Sequence, residues 1–224
     1  MIVVGSSASR TCFTRLLQRN EEDFSSAYSN PQIACKPFDS NRDGSVAGES
    51  ASAIILERRS HAEARQAPIL GSIVGWANTF SPSNERWGGT QASTENTLTT
   101  LMERSGLSAQ EIDHINAAAN GTIRLDAAQA RGIASILKHV PVVSYKGGLG
   151  DSISGSGLIE LIASIAGMRG GAIAPTTNLT KTGIDCPINV VSVSSKPRTG
   201  SSIIKLSNTP QGHCVGIAMT FENS

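Results

Sequence analysis

A layered α/β fold is predicted by three observations. Short β-branched apolar runs recur along the chain, helix-spaced apolar runs alternate with them, and glycine-bearing turns stand at many of the junctions. Composition agrees with this class. Of 224 residues, 39% are hydrophobic but only 4% aromatic, and 22 are glycine, which calls for a core of Ala, Val, Ile and Leu with close backbone contacts.

The elements follow in order. Met1–Gly5 reads as a buried strand, and Thr11 to about Asn20 as a helix with Phe13, Leu16 and Leu17 on one side. A polar stretch, Glu21 to Asn30, leads to Pro31. Pro37-Phe38-Asp39-Ser40-Asn41-Arg42-Asp43-Gly44 is dense in turn formers, and Asp43-Gly44 suits a tight reversal. Ala51–Glu57 is a strand followed at once by a charged turn. Ile69–Trp76 is another strand, which the polar loop Ser81–Thr90 separates from a helix. That helix is expected to begin near Ser93, whose hydroxyl can cap it, to carry Leu98, Leu101 and Met102 inward, and to end at Gly106. His114–Ala117 is a short strand, Arg124–Lys138 a helix, and Val140–Ser144 a strand running into the loop Lys146-Gly147-Gly148-Leu149-Gly150. Ser156 to about Met168 is so apolar that most of its circumference is expected to be buried. Asn189–Val193, Ser202–Leu206 and Val215–Phe221 complete the strands, and alternation of the two element types gives the layered class.

Charge and cysteine usage exclude several functions. Nineteen basic residues against 18 acidic, a net charge of +1, provide no field for nucleic acid or an anionic bilayer. The apolar opening is too short for a signal peptide, and no run approaches the roughly 20 apolar residues of a membrane span, so a cytoplasmic protein without membrane contact is expected. Cys12, Cys35, Cys186 and Cys214 lack Cys-x-x-Cys spacing and are expected to be reduced thiols. His61, His114, His139 and His213 are scattered, with no i+3 or i+4 pair, so no metal or other cofactor is expected.

Three local patterns approach chemistry and fall short. Lys146–Gly150 follows a strand and precedes a helix, as phosphate loops do, but has Lys before its glycines and no Gly-Lys-Ser/Thr. Gly150-Asp151-Ser152-Ile153-Ser154 has Ser154 where a nucleophile elbow needs its second Gly. His213 beside Cys214 could activate a thiolate, yet neighbours on a strand point to opposite faces.

Taken in order, the loops resemble those of β-ketoacyl synthases. Pro37-Phe38-Asp39, Arg42-Asp43-Gly44 and Ala47-Gly48-Glu49 match one segment of that family. The similarity continues through Ala53–Glu57, Ile115-Asn116-Ala117 to Thr122 and Asp126, Ser144-Tyr145-Lys146 to Gly157 and Glu160, and Ile173–Leu179. The resemblance implies a truncated thiolase-like fold, with residues 1–66 a remnant of the N-terminal half, including two of its strands, and 67–224 the C-terminal half. It places the family's Cys nucleophile on a helix just before the strand at Met1–Gly5, and none of the four cysteines occupies that motif. The two family histidines fall at Ala118 and Asp151, while Lys146, Glu160, Thr122 and Asp126 remain as structural parts of the site. The terminal gating loop is reduced to Asn208-Thr209-Pro210-Gln211-Gly212-His213.

In this family the imidazoles donate hydrogen bonds to the enolate formed when a malonyl thioester loses carbon dioxide. Ala118 has no donor, and an ionised Asp151 repels an oxyanion. The resemblance therefore implies a non-catalytic subunit like a chain-length factor, paired as a heterodimer with an active β-ketoacyl synthase and shaping its acyl-chain tunnel. Such a subunit serves type II polyketide or fatty-acid-like synthesis, aryl polyenes among them, and meets acyl carrier protein indirectly. Two alternatives stay open: an acyl-transfer or decarboxylating enzyme rewired around Cys214, His213 or Asp151, and a self-associating protein that binds acyl chains or carrier protein. Met102–Gly106 is a further candidate for substrate or interface contact.

Overall fold

The computed structural model describes residues 1–8, 24–26, 29–192 and 195–222. The helix expected over Thr11–Asn20, with Cys12, lies outside the described residues. Strands β1 (Ile2–Ala8) and β2 (Glu49–Ile55) pair antiparallel, Ile2 opposite Ile55. After the short helix α1 (Arg59–Ala64) come β3 (Ser72–Phe80), α2 (Thr90–Ser105), β4 (Ile112–Asn116), α3 (Ile123–Leu137) and β5 (Pro141–Val143). The one-turn helix α4 (Lys146–Leu149) leads to α5 (Ser156–Gly170), followed by β6 (Ala172–Ile173), β7 (Asn189–Val190), β8 (Lys196–Pro197), β9 (Ser202–Asn208) and β10 (His213–Thr220).

The main sheet has the order β3-β10-β9-β4-β5-β7, antiparallel across β3, β10 and β9 and parallel from β9 through β7; β6 and β8 form a separate small pair. Period-2 alternation decides which side chains meet which layer. On one face, α2 and α3 bring Leu98, Leu101, Ile133 and Leu137 onto Ile115, Val142, Ile204, Leu206 and Ala218. On the other, α5 brings Leu161, Ile165 and Met168 onto Ile203, Met219 and Phe221, and Ile54 of β2 joins this cluster, so the β1–β2 pair rests against α5. Helices α2 and α3 approach closely at Gly132, where a Cβ would lie 2.8 Å from both the Gln91 carbonyl oxygen and the Thr94 Cβ.

Part of the sheet is uncovered. On the α5 side, β3 and β10 expose Trp76 (62%), Phe80 (52%) and Val215 (41%), and the β1–β2 pair exposes Ile2, Val4 and Ile55.

Several local expectations change. The charged turn after β2 is helix α1, whose Arg59 and Glu63 sit at i,i+4 spacing. Strand β3 starts at Ser72 instead of Ile69, because pairing with Thr220 at the end of β10 sets its first residue. Helix α2 starts at Thr90; Ser93 lies inside its first turn and its hydroxyl donates to Thr90 O (3.2 Å) instead of capping the end. Gly106 ends α2 as expected, at φ 67°. The Lys146 loop is helical, and the strand expected over Asn189–Val193 pairs only at Asn189–Val190.

Replacing Gly132 by Val should wedge α2 from α3. The expected loss is about 1–3 kcal/mol in urea denaturation, the usual range for overpacking; an unchanged midpoint would mean that the contact yields freely.

Candidate functional site

The site forms where β4, β5 and β9 end and α4 and α5 begin. The Ser144 hydroxyl donates to Ala119 O (2.6 Å), tying the end of β5 to the segment after β4. Lys146, the first residue of α4, is buried; its Nζ donates to Ala118 O (3.1 Å) and pairs with Glu160 Oε1 (3.0 Å). Glu160 Oε2 takes Lys205 Nζ of β9 at 2.5 Å, and the same ammonium donates to Asn116 Oδ1 of β4 (3.2 Å). One carboxylate thus joins two buried lysines and ties α4, α5 and β9 together.

Asp151 is delivered by a tight crossing. Gly150 has φ 73°, and a Cβ on Gly48 would lie 2.6 Å from Leu149 O, so the segment around Gly48 packs directly on the end of α4. Asp151 N donates to Val46 O (2.7 Å) and Asp151 O accepts from Gly48 N (2.9 Å). Its carboxylate accepts from Asn120 Nδ2 (2.7 Å), Ile153 N (3.0 Å) and Ser156 Oγ (3.1 Å). Burial works against the charge, but the Lys146 ammonium and these donors outweigh it and hold the carboxyl below the usual carboxylate range. Asp151 is therefore an acceptor at neutral pH, with no proton to donate.

Ala118, Thr122, Lys146 and Asp151 line a single cavity of about 730 Å³, together with Asn120, Trp87 and the segment Ser207–Gln211. Glu160 lies beneath it, through Lys146. Asp126 stands behind it as a brace: its carboxylate accepts from Phe38 N (2.8 Å), Asn120 N (3.0 Å) and Gly121 N (3.1 Å), with Arg42 Nε 3.9 Å away. Burial pushes this carboxyl up to about 6 despite those partners.

The His213–Cys214 pair comes apart. His213 is exposed and stacks on Phe80, ring centroids 4.6 Å apart, whereas Cys214 is fully buried and burial pushes its thiol up. Neither lines the cavity, and neither does Met102–Gly106, where Met102 packs on the main core instead.

Sequence reasoning missed Lys205 and Cys35. A signal existed for Lys205, a lone charge in the apolar run Ile203–Leu206. For Cys35 there was none; its Sγ donates to Asn120 O (3.2 Å), and burial pushes its thiol up to about 12, which leaves it unreactive. Among the described residues no group of three His, Cys, Asp or Glu could hold a metal ion, and no helix is long and apolar enough to cross a membrane.

The family model described as "Beta-ketoacyl synthase, N-terminal domain" matches residues 1–62, and the one described as "Beta-ketoacyl synthase, C-terminal domain" matches residues 70–180. The chain belongs to the β-ketoacyl synthase family. It is 34% identical over 201 residues to 3-oxoacyl-[acyl-carrier-protein] synthase 2 of Mycobacterium tuberculosis, covering 84% of this chain and 46% of that relative. A β-ketoacyl synthase structure from Burkholderia phymatum superposes with a TM-score of 0.93 at 24% identity, over 100% of this chain and 55% of the other. The ishigamide ketosynthase/chain length factor superposes with a TM-score of 0.89 at 22% identity, over 99% and 54%. The chain thus spans about half the length of the relatives it matches, and the thiolase-like fold expected from its loops is present over that span.

The state of Asp151 gives a pH signature. A carboxyl whose folded pKa lies below its unfolded value adds stability that is present above the unfolded pKa, near 3.9, and lost as pH falls through the folded value. Asp151→Asn should therefore be less stable than the native chain at pH 7, with the gap closing below about pH 4 in pH-resolved denaturation. A gap independent of pH would show that the carboxylate's charge is not what stabilises the loop.

Proposed function

We propose that this chain is a non-catalytic, chain-length-factor-like partner of an active β-ketoacyl synthase, whose acyl-chain tunnel it helps to shape in polyketide or fatty-acid-like synthesis. In this reading residues 1–66 supply part of the first thiolase half and 67–224 the second. It rests on the two groups at the positions that the family resemblance assigns to its histidines. Ala118 presents a methyl group, and Asp151 presents a carboxylate that accepts from three donors.

The consequence for chemistry is a matter of sign. Loss of carbon dioxide from a malonyl thioester places negative charge on the thioester oxygen, and removing even one oxyanion donor slows such reactions about 10²–10³-fold. Here neither position has a donor, and one bears a negative charge. The lysine that remains, Lys146, is engaged by Glu160 and Ala118 O.

Pairing is supported by the uncovered surface. Trp76, Phe80 and Val215 on one sheet and Ile2, Val4 and Ile55 on the other are large apolar side chains more than one-third exposed, on faces that a folded α/β layer normally buries. A ketosynthase subunit packed there would cover them. The ishigamide ketosynthase/chain length factor shares the fold and offers the precedent for such a pair.

The test is co-expression with a complete ketosynthase followed by native mass spectrometry, and incubation of the isolated chain with malonyl carrier protein. A one-to-one mixed dimer and no carbon dioxide release from the chain alone are expected. Turnover by the isolated chain, or its recovery only as a monomer or self-assembly, would overturn the proposal.

A further inference from the structure

The buried cluster under the cavity poses a charge problem of its own. Lys146 and Lys205 are 7% and 5% exposed at their side chains, and both reach the same carboxylate, Glu160, itself 1% exposed. Two ammonium groups against one carboxylate leave an excess positive charge largely withdrawn from water beneath the cavity, an arrangement that is costly unless another anion answers it. The titratable neighbours are few. Cys35 faces Lys146, but burial keeps its thiol neutral. Among the described residues the remaining anion is Asp151, which lines the same cavity as Lys146 and is joined to the Lys146 acceptor segment through Asn120, two residues after Ala118; its negative charge favours the charged form of both lysines. Lys205 needs this help most, since burial and the Lys146 charge both push its ammonium down.

We propose that Asp151 is the second counter-ion of the buried Lys146–Glu160–Lys205 cluster, so that Asp151 and Lys205 form one charge unit and neither tolerates replacement alone. With both present, two positive charges meet two negative ones. Without Asp151 the cluster is left with an unbalanced cation, and without Lys205 with an unbalanced anion. Without both, the neutral pair Lys146–Glu160 remains. An imidazole placed at position 151 by a single substitution would therefore strand Lys205, and the site can regain a hydrogen-bond donor there only if Lys205 is also neutralised. This goes beyond the pairing proposal and stands independently of it, because it is read from stability and lysine titration of the chain itself.

The experiment is a double-mutant cycle on Asp151→Asn and Lys205→Met, repeated with Asp151→His, in urea denaturation. Each single variant is expected to shift the unfolding equilibrium about tenfold or more toward the unfolded state. The double variants should be more stable than the corresponding Asp151 single variants. If a single variant does not fold, soluble recovery of its double variant supports the unit, and failure of the double variant as well overturns it. Additive losses, with the double variant worse than either single one, would equally overturn it. A second readout separates charge coupling from packing. NMR titration of the Lys205 ammonium in Asp151→Asn should show a lower pKa than in the native chain, and an unchanged titration would contradict the proposal.

Discussion

Glu160 takes Lys146 on one carboxylate oxygen and Lys205 on the other, and the site is arranged around that contact. Lys205 and Asn116 bring β9 and β4 to it, Glu160 brings α5, and Lys146 brings α4. Removing one member of such a buried set leaves an uncompensated charge, which is far more damaging than removing an exposed pair such as Arg59–Glu63. The contact also fixes the start of α4, and four residues further on the chain crosses Gly48 and presents Asp151 to the cavity. A structural ion cluster thereby decides what the cavity wall can do chemically.

That dependence gives the groups at Ala118 and Asp151 a physical context. Ala118 contributes its backbone carbonyl, as an acceptor for Lys146, and its side chain only as lining. Asp151 is held by three donors and by the crossing with Val46 and Gly48, so its charge stabilises the loop that carries it. Asp126 performs a similar service behind the cavity, gathering the amides of Phe38, Asn120 and Gly121. At these two positions the cavity wall presents a methyl group and an acceptor, and the proposal of a non-condensing partner rests on that arrangement.

The sequence displayed the layers better than the site. Helix-spaced Leu98 and Leu101 and the β-branched runs at Ile203–Ile204 announced a core that the structure assembles as two clusters on opposite faces of one sheet. The Lys146–Glu160 pair was legible because motif resemblance named both residues. Lys205 was not: within an apolar strand it reads as pattern noise, and only the fold shows that Glu160 has a second oxygen to offer. The link from Asn120 to Asp151 joins two loops 31 residues apart and has no local signature. Helix α1 escaped for the opposite reason, since Arg59–Ala64 is too polar to show an apolar period and buries only Ala62. The adjacency of His213 and Cys214 suggested chemistry that strand alternation then divided between two faces.

The negative charge at position 151 is the point on which a non-condensing role turns, and carboxyl-carbon NMR of the folded protein across acid pH measures it directly. The Asp151 signal should titrate below the ordinary carboxylate value of about 3.9 and be fully ionised at pH 7. A carboxyl still protonated at pH 7 would offer the cavity a hydrogen-bond donor and contradict the reading of this chain as a silent partner.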